Sequence, residues 1–114
     1  MKPKLVYVAG KYSAPSPYLV QRNIDHARYY AQEIALLGGY PVTPHLTTAH
    51  FDGIQTYDWW CDTTLELMRR CDAVFMLPAW GESKGARGEH MEALKLKLPV
   101  FYTLYMIDNW LNDK

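Results

Sequence analysis

Residues 72–89 read D-A-V-F-M-L-P-A-W-G-E-S-K-G-A-R-G-E. The apolar run 73–77, stopped by Pro78 and followed by Gly81, Ser83, Gly85 and Gly88, predicts a buried strand, a loop and then a helix over 83–97. One carboxylate, Glu89, is carried into the first turns of that helix. In open parallel sheets, ligands sit in the crevice beyond the carboxyl ends of the strands. A strand opening into a Gly-rich turn that leads to Glu89 is how such a sheet delivers a reactive group there.

Outward from this stretch, apolar runs alternate with helical patterns. Residues 5–9 form a first strand closing on Gly10, and 13–18 a loop containing Pro and Ser. Val20, Ile24, Ala27, Ala31 and Ile34 recur in steps of four and three, one apolar stripe on a helix that ends at Gly38 and Gly39. Residues 40–43 are a short second strand stopped by Pro44. The segment 45–55 has no period and reads as an active loop or a lid. A second helix starts at Tyr57, with Trp60, Thr64, Leu67 or Met68, and Cys71 near one face. A fourth strand over 99–103 and a short helix over 105–111 complete the chain.

Strands separated by helices of this length pair in parallel, because each return must cross a face of the sheet. The expected fold is α/β: one small doubly wound, flavodoxin-like or Rossmann-like domain over 1–114. Four strands in the order 2-1-3-4 put the switch point between the first and third.

Composition narrows the partners. A chain of 114 residues is long enough to bury about 60–70% of its unfolded surface around one core. With 12 basic and 12 acidic residues, and no basic run longer than Arg69 and Arg70, no phosphate track for nucleic acid is expected. A small molecule is the expected ligand. Cys61 and Cys71, ten apart, form neither a zinc motif nor a disulfide framework. Reduced, buried thiols fit a cytoplasmic protein. The longest apolar stretch, 98–107, is far short of the ~20 residues of a membrane span. A strand follows Met1 too promptly for a signal peptide. No cluster of ligands suggests a metal or redox cofactor.

Four stretches together carry a resemblance: Y-V-A-G at 7–10, R-N-I at 22–24, C-D-A-V-F-M-L-P-x-W at 71–80 and S-x-G-A-x-x-E at 83–89. In this order and spacing they look like the nucleoside 2-deoxyribosyltransferase superfamily, over most of the chain. The nearest likeness is to its small phage and bacterial members without an assigned role. The 2′-deoxynucleoside 5′-monophosphate N-hydrolases come next. The resemblance implies cleavage of an N-glycosidic bond at C1′, with Glu89 as nucleophile and the Tyr7 hydroxyl orienting it and holding it ionised. A carboxylate beneath C1′ stabilises oxocarbenium charge and traps it as a glycosyl ester. Water, or a second base, then resolves the ester, so hydrolysis and base exchange are both expected activities.

The residues themselves leave alternatives open. Ala86, Glu89, Ala93 and Leu96 share one helix face while Met91, Leu94 and Leu98 form another apolar stripe, so Glu89 is either in a site or in solvent. Tyr7 is either a core aromatic or the partner of Glu89. Gly10 permits close backbone approach to a ligand, and Ser83 as N-cap adjoins free N–H groups that favour an anion. The resembling hydrolases place a 5′-phosphate against the matching glycine and serine, ahead of Lys11, Ser13 and Lys84. Gly85 and Gly88 belong to the same turn or serve only to let the helix pack near the sheet. Trp59, Trp60 and Trp80 are candidates to stack on a base, Trp80 first. Arg22 and Asn23 either reach the sugar or phosphate or form a solvated face.

One departure concerns the leaving group. Where the resembling enzymes carry an aspartate, eight residues before Asp72, this chain has Thr64, whose hydroxyl cannot shuttle a proton near neutral pH. Asp62 faces away from Thr64 on the helix. The replacement acids are Asp58, otherwise an N-terminal helix aspartate, and His45, with an ordinary imidazole pKa. Without such an acid, either the base needs little help to leave or the chain no longer catalyses and is a nucleotide-binding sensor or accessory protein. Plentiful aromatics near the C-terminus (Tyr102, Tyr105, Trp110) predict a homo-oligomer, a dimer or larger.

Overall fold

The computed structural model describes residues 2–112. Its elements are β1 (Leu5–Ala9), α1 (Pro17–Leu36), β2 (Tyr40–Val42), α2 (Pro44–Thr47), α3 (Tyr57–Arg69), β3 (Ala73–Met76), α4 (Lys84–Lys95), β4 (Val100–Phe101) and α5 (Leu104–Asn112), with a 3₁₀ turn at Trp80–Glu82. All four strands are parallel, in the order β2-β1-β3-β4. The expected architecture and strand order are therefore those observed.

Alternation along the central strands builds both layers. Tyr7 and Ala9 of β1 point with Val74 and Met76 of β3 toward α3 and α4, packing on Met68, Ala86 and Ala93. Val6, Val8, Phe75 and Leu77 face the other way, onto Ala27 and Ile34 of α1 and Ile107 of α5. Both central strands are buried on both faces, as their unbroken apolar sequences require. Tyr7 is opposite Val74 and Ala9 opposite Met76, so the two strands end level at the switch point. The Asp72 carboxylate ties their other ends, accepting the Leu5 N–H at 2.8 Å.

Local chemistry sets the boundaries. Ser16 caps α1 by accepting the Leu19 N–H at 3.2 Å, Pro17 supplies the first helical position, and Gly38 at φ +105° ends it. Thr56 caps α3 in the same way. β1 keeps its expected bounds, while the other strands are trimmed: β2 stops at Val42, β3 at Met76, and β4 spans two residues. The aperiodic segment 45–55 holds the single-turn α2, started by Pro44, which a four-residue helix is too short to announce by period. β2 is an edge strand, and its middle residue, Pro41, pairs with Val6.

Candidate active site

A cleft of about 740 Å³ opens above the C-terminal ends of β1 and β3. Its walls are the loop after β1, α2, the segment after it, the first two turns of α3 and the start of α4. At its base the Tyr7 hydroxyl donates to Oε2 of Glu89. Tyr7 is 1% exposed, at the centre of the sheet. Glu89 shares the inner face of α4 with buried Ala86 and Ala93, while Met91 and Leu94 are 66% and 54% exposed. The structure thus chooses between the two stripes the periodicity left open.

Electrostatics at this pair departs from the sequence expectation. Burial pushes the Glu89 carboxyl up to about 7, against the opposing effect of the Tyr7 hydrogen bond. Tyr7 favours the ionised form, but desolvation outweighs it. Tyr7 itself is raised well above its ordinary value by burial first and by the neighbouring Glu89 charge second, so the shared proton stays on the phenol when Glu89 is ionised.

Ser83 caps α4, its Oγ accepting the Ala86 N–H at 3.2 Å. The next N–H groups, of Lys84 and Gly85, have no acceptor inside the helix. Both residues line the cleft. Lys11 does too, paired with Glu82 at 3.0 Å across the mouth, and Ser13 lies on the same rim. Gly85 and Gly88 are not there for packing. A Cβ at Gly88 would meet nothing within 4 Å, and at Gly85 only Ser83 Oγ at 3.9 Å. Each glycine sits in a helix, where it costs about 1 kcal/mol relative to Ala, and each leaves room in the cleft.

Gly10 lines the cleft, and its missing side chain also answers to the core, since a Cβ would stand 2.7 Å from Leu77 Cβ. Three expectations are corrected. His45 is in the wall yet 5% exposed, its Nε2 in a 3.1 Å hydrogen bond to the Lys11 carbonyl and its pKa lowered by burial. It is a neutral ring, not an acid with an ordinary pKa. Asp58 is exposed on the first turn of α3 and outside the cleft wall. Trp80 is likewise outside, stacked on His90 at 4.2 Å between ring centroids and packed against the core. Trp60 is the tryptophan in the wall, with Trp59 set edge-on behind it at 4.9 Å. Arg22 stays off the cleft, and Asn23 instead donates to the Tyr12 carbonyl at 2.9 Å.

Tyr12, Phe51, Asp52, Tyr57 and Cys61 line the cleft without having been singled out in the sequence. The Tyr12 hydroxyl donates to Asp52 at 2.8 Å and accepts the His50 N–H at 2.9 Å, joining the first loop to the segment beyond α2. Its place directly after Gly10 and Lys11 was the available signal. Phe51 lies edge-on to Trp60, with centroids 6.5 Å apart. Thr64, one turn after Trp60, donates its hydroxyl to the Trp60 carbonyl at 2.8 Å. Among the described residues no group of three or more His, Cys, Asp or Glu side chains could hold a metal ion, and no helix is long and apolar enough to cross a membrane. Residues 4–102 match the family described as a domain of unknown function (DUF4406), and no curated protein matches the chain.

Proposed function

Because the chain belongs to that DUF4406 family, whose description names no activity, we propose a function from the site: an N-glycosidase that opens the C1′–N bond of a nucleoside or its 5′-monophosphate. The observation that carries the reading is Glu89 bound to the Tyr7 hydroxyl on the inner face of α4, in a cleft at the switch point. A carboxylate fixed by a phenol that keeps its own proton is a competent nucleophile toward an anomeric carbon. Burial serves the same end. A poorly hydrated carboxylate gains more from a developing positive charge than one in water does.

The other lining groups suit the rest of such a substrate. Trp60 and Phe51 offer apolar faces for a planar base. Ser83, Lys84 and Gly85 present N–H groups and an ammonium for an anionic end. Attack by Glu89 gives a glycosyl ester and releases the base, and water resolves the ester to a free sugar. A second base as acceptor would turn the same intermediate into an exchange product.

Chromatography of reaction mixtures tests this directly. Nucleosides and their 5′-monophosphates, in deoxyribose and ribose forms, are incubated with the protein and with Glu89→Gln. The expected result is free base from the native protein and a loss of at least roughly 10³-fold in the variant. Equal release by both removes Glu89 from the chemistry. Binding without release by either leaves a nucleotide sensor.

A further inference from the structure

Breaking a bond from C1′ to a neutral nucleobase leaves an electron pair on a ring nitrogen, and a proton placed there in the transition state contributes about 10²–10⁴-fold. Several donors in the cleft already have partners. Thr64 gives its hydroxyl to the Trp60 carbonyl and lies in hydrogen-bonding reach of the Tyr7 oxygen. The Tyr7 hydroxyl donates its hydrogen bond to the nucleophile itself. His45 has one nitrogen on the Lys11 carbonyl, inside the wall. Asp52 and Glu82 act as acceptors, from Tyr12 and Lys11, at the exposed rim. The Tyr57 phenol is raised further from the acidic range by its hydrogen bond to Cys61. The Lys11 ammonium is bound to Glu82 at 3.0 Å.

Charge and shape favour one kind of leaving group. With the Lys11–Glu82 pair cancelling itself, the cleft carries the carboxyls of Glu89 and Asp52 against one lysine, Lys84. Trp60 and Phe51 supply ring faces that attract a delocalised cation. Building on the glycosidase reading, we infer that the substrates of this cleft are N-glycosides whose base carries a fixed positive charge, a pyridinium or an N-alkylated purinium.

Such a base needs no acid. As Glu89 bonds to C1′, the C1′–N pair collapses onto the ring nitrogen, cancels its charge and lets the base depart neutral. Water then adds to C1′, the ester oxygen returns to Glu89 as carboxylate, and the water's second proton goes to solvent. The balance is one sugar, one neutral base and one proton per turnover.

The test compares N7-methylguanosine and nicotinamide riboside with guanosine, each corrected for its rate without protein. The expected result is a cationic-over-neutral preference at least as large as that of the uncatalysed reactions. An enzyme with a working acid compresses that ratio by about 10²–10⁴-fold. Thr64→Asp, which installs a carboxyl in the wall, is expected to raise the guanosine rate by 10-fold or more, with no such gain on the cationic substrates. A compressed ratio in the native protein overturns the inference while the glycosidase reading stands, even if the variant fails to fold. Cleavage of none of the three overturns the inference, while the glycosidase reading is decided by the deoxyribosides and 5′-monophosphates of the first test.

Discussion

Glu89 shows how one side chain's surroundings set its working range. With its carboxyl at about 7, the nucleophilic form is the minority species in mildly acid solution. The expected pH profile of kcat/KM on a cationic nucleoside therefore climbs about tenfold per unit below 7 and flattens above it. Tyr7→Phe removes the one interaction that opposes desolvation, so its midpoint is expected to move upward, together with a fall in the plateau. A profile unchanged by that substitution would separate Tyr7 from the ionisation of Glu89. Glu89 itself was legible in the sequence, as a carboxylate at the end of a Gly-rich turn. Its ionisation was not, because desolvation depends on Ala86, Ala93 and the sheet beneath them, which only the fold brings around it. Trp80 shows the opposite case: its place after a strand suggested the cleft, but His90 and Tyr102 draw it to the other side of α4.

At the level of elements, α4 and the end of β1 use glycine for opposite reasons. Gly88→Ala adds a methyl group to open space in a helix, so it is expected to stabilise the fold by about 0.5–1 kcal/mol while weakening ligand binding in the cleft. Gly10→Ala drives a methyl into Leu77 and is expected to destabilise by about 1–3 kcal/mol. Urea titration of both variants, with ligand binding measured on Gly88→Ala, checks the pair. The sequence showed the strands and long helices because each carries a period or an uninterrupted apolar run. It left α2 hidden, a single turn being shorter than any period. It also could not tell Gly10 from Gly88, since the close neighbour of the first is 67 residues away in sequence.

For the whole molecule, Glu89 and His45 pull stability in opposite directions with pH. Glu89 binds its proton more tightly in the folded state than in the unfolded one, at about 7 against an ordinary 4.5, so its contribution is full in acid and is lost as pH rises through 7. His45 is lowered, so it favours the fold above its ordinary value and opposes it as pH falls. Glu89→Gln isolates the first effect. The stability of the variant relative to the native protein is expected to rise between pH 4.5 and 7, by up to about 3 kcal/mol, and to hold level above that. Denaturant midpoints across the range measure it. A flat difference would mean that Glu89 is as well hydrated in the fold as out of it. The short flanks of the sheet have a separate effect on how these molecules meet in crowded solution. On one side the outermost ribbon is three residues long with Pro41, which has no N–H to offer, at its middle; on the other it is two residues long. A strand from a second copy finds almost no ladder to extend, so the fold is guarded against growing into fibrils from its rims.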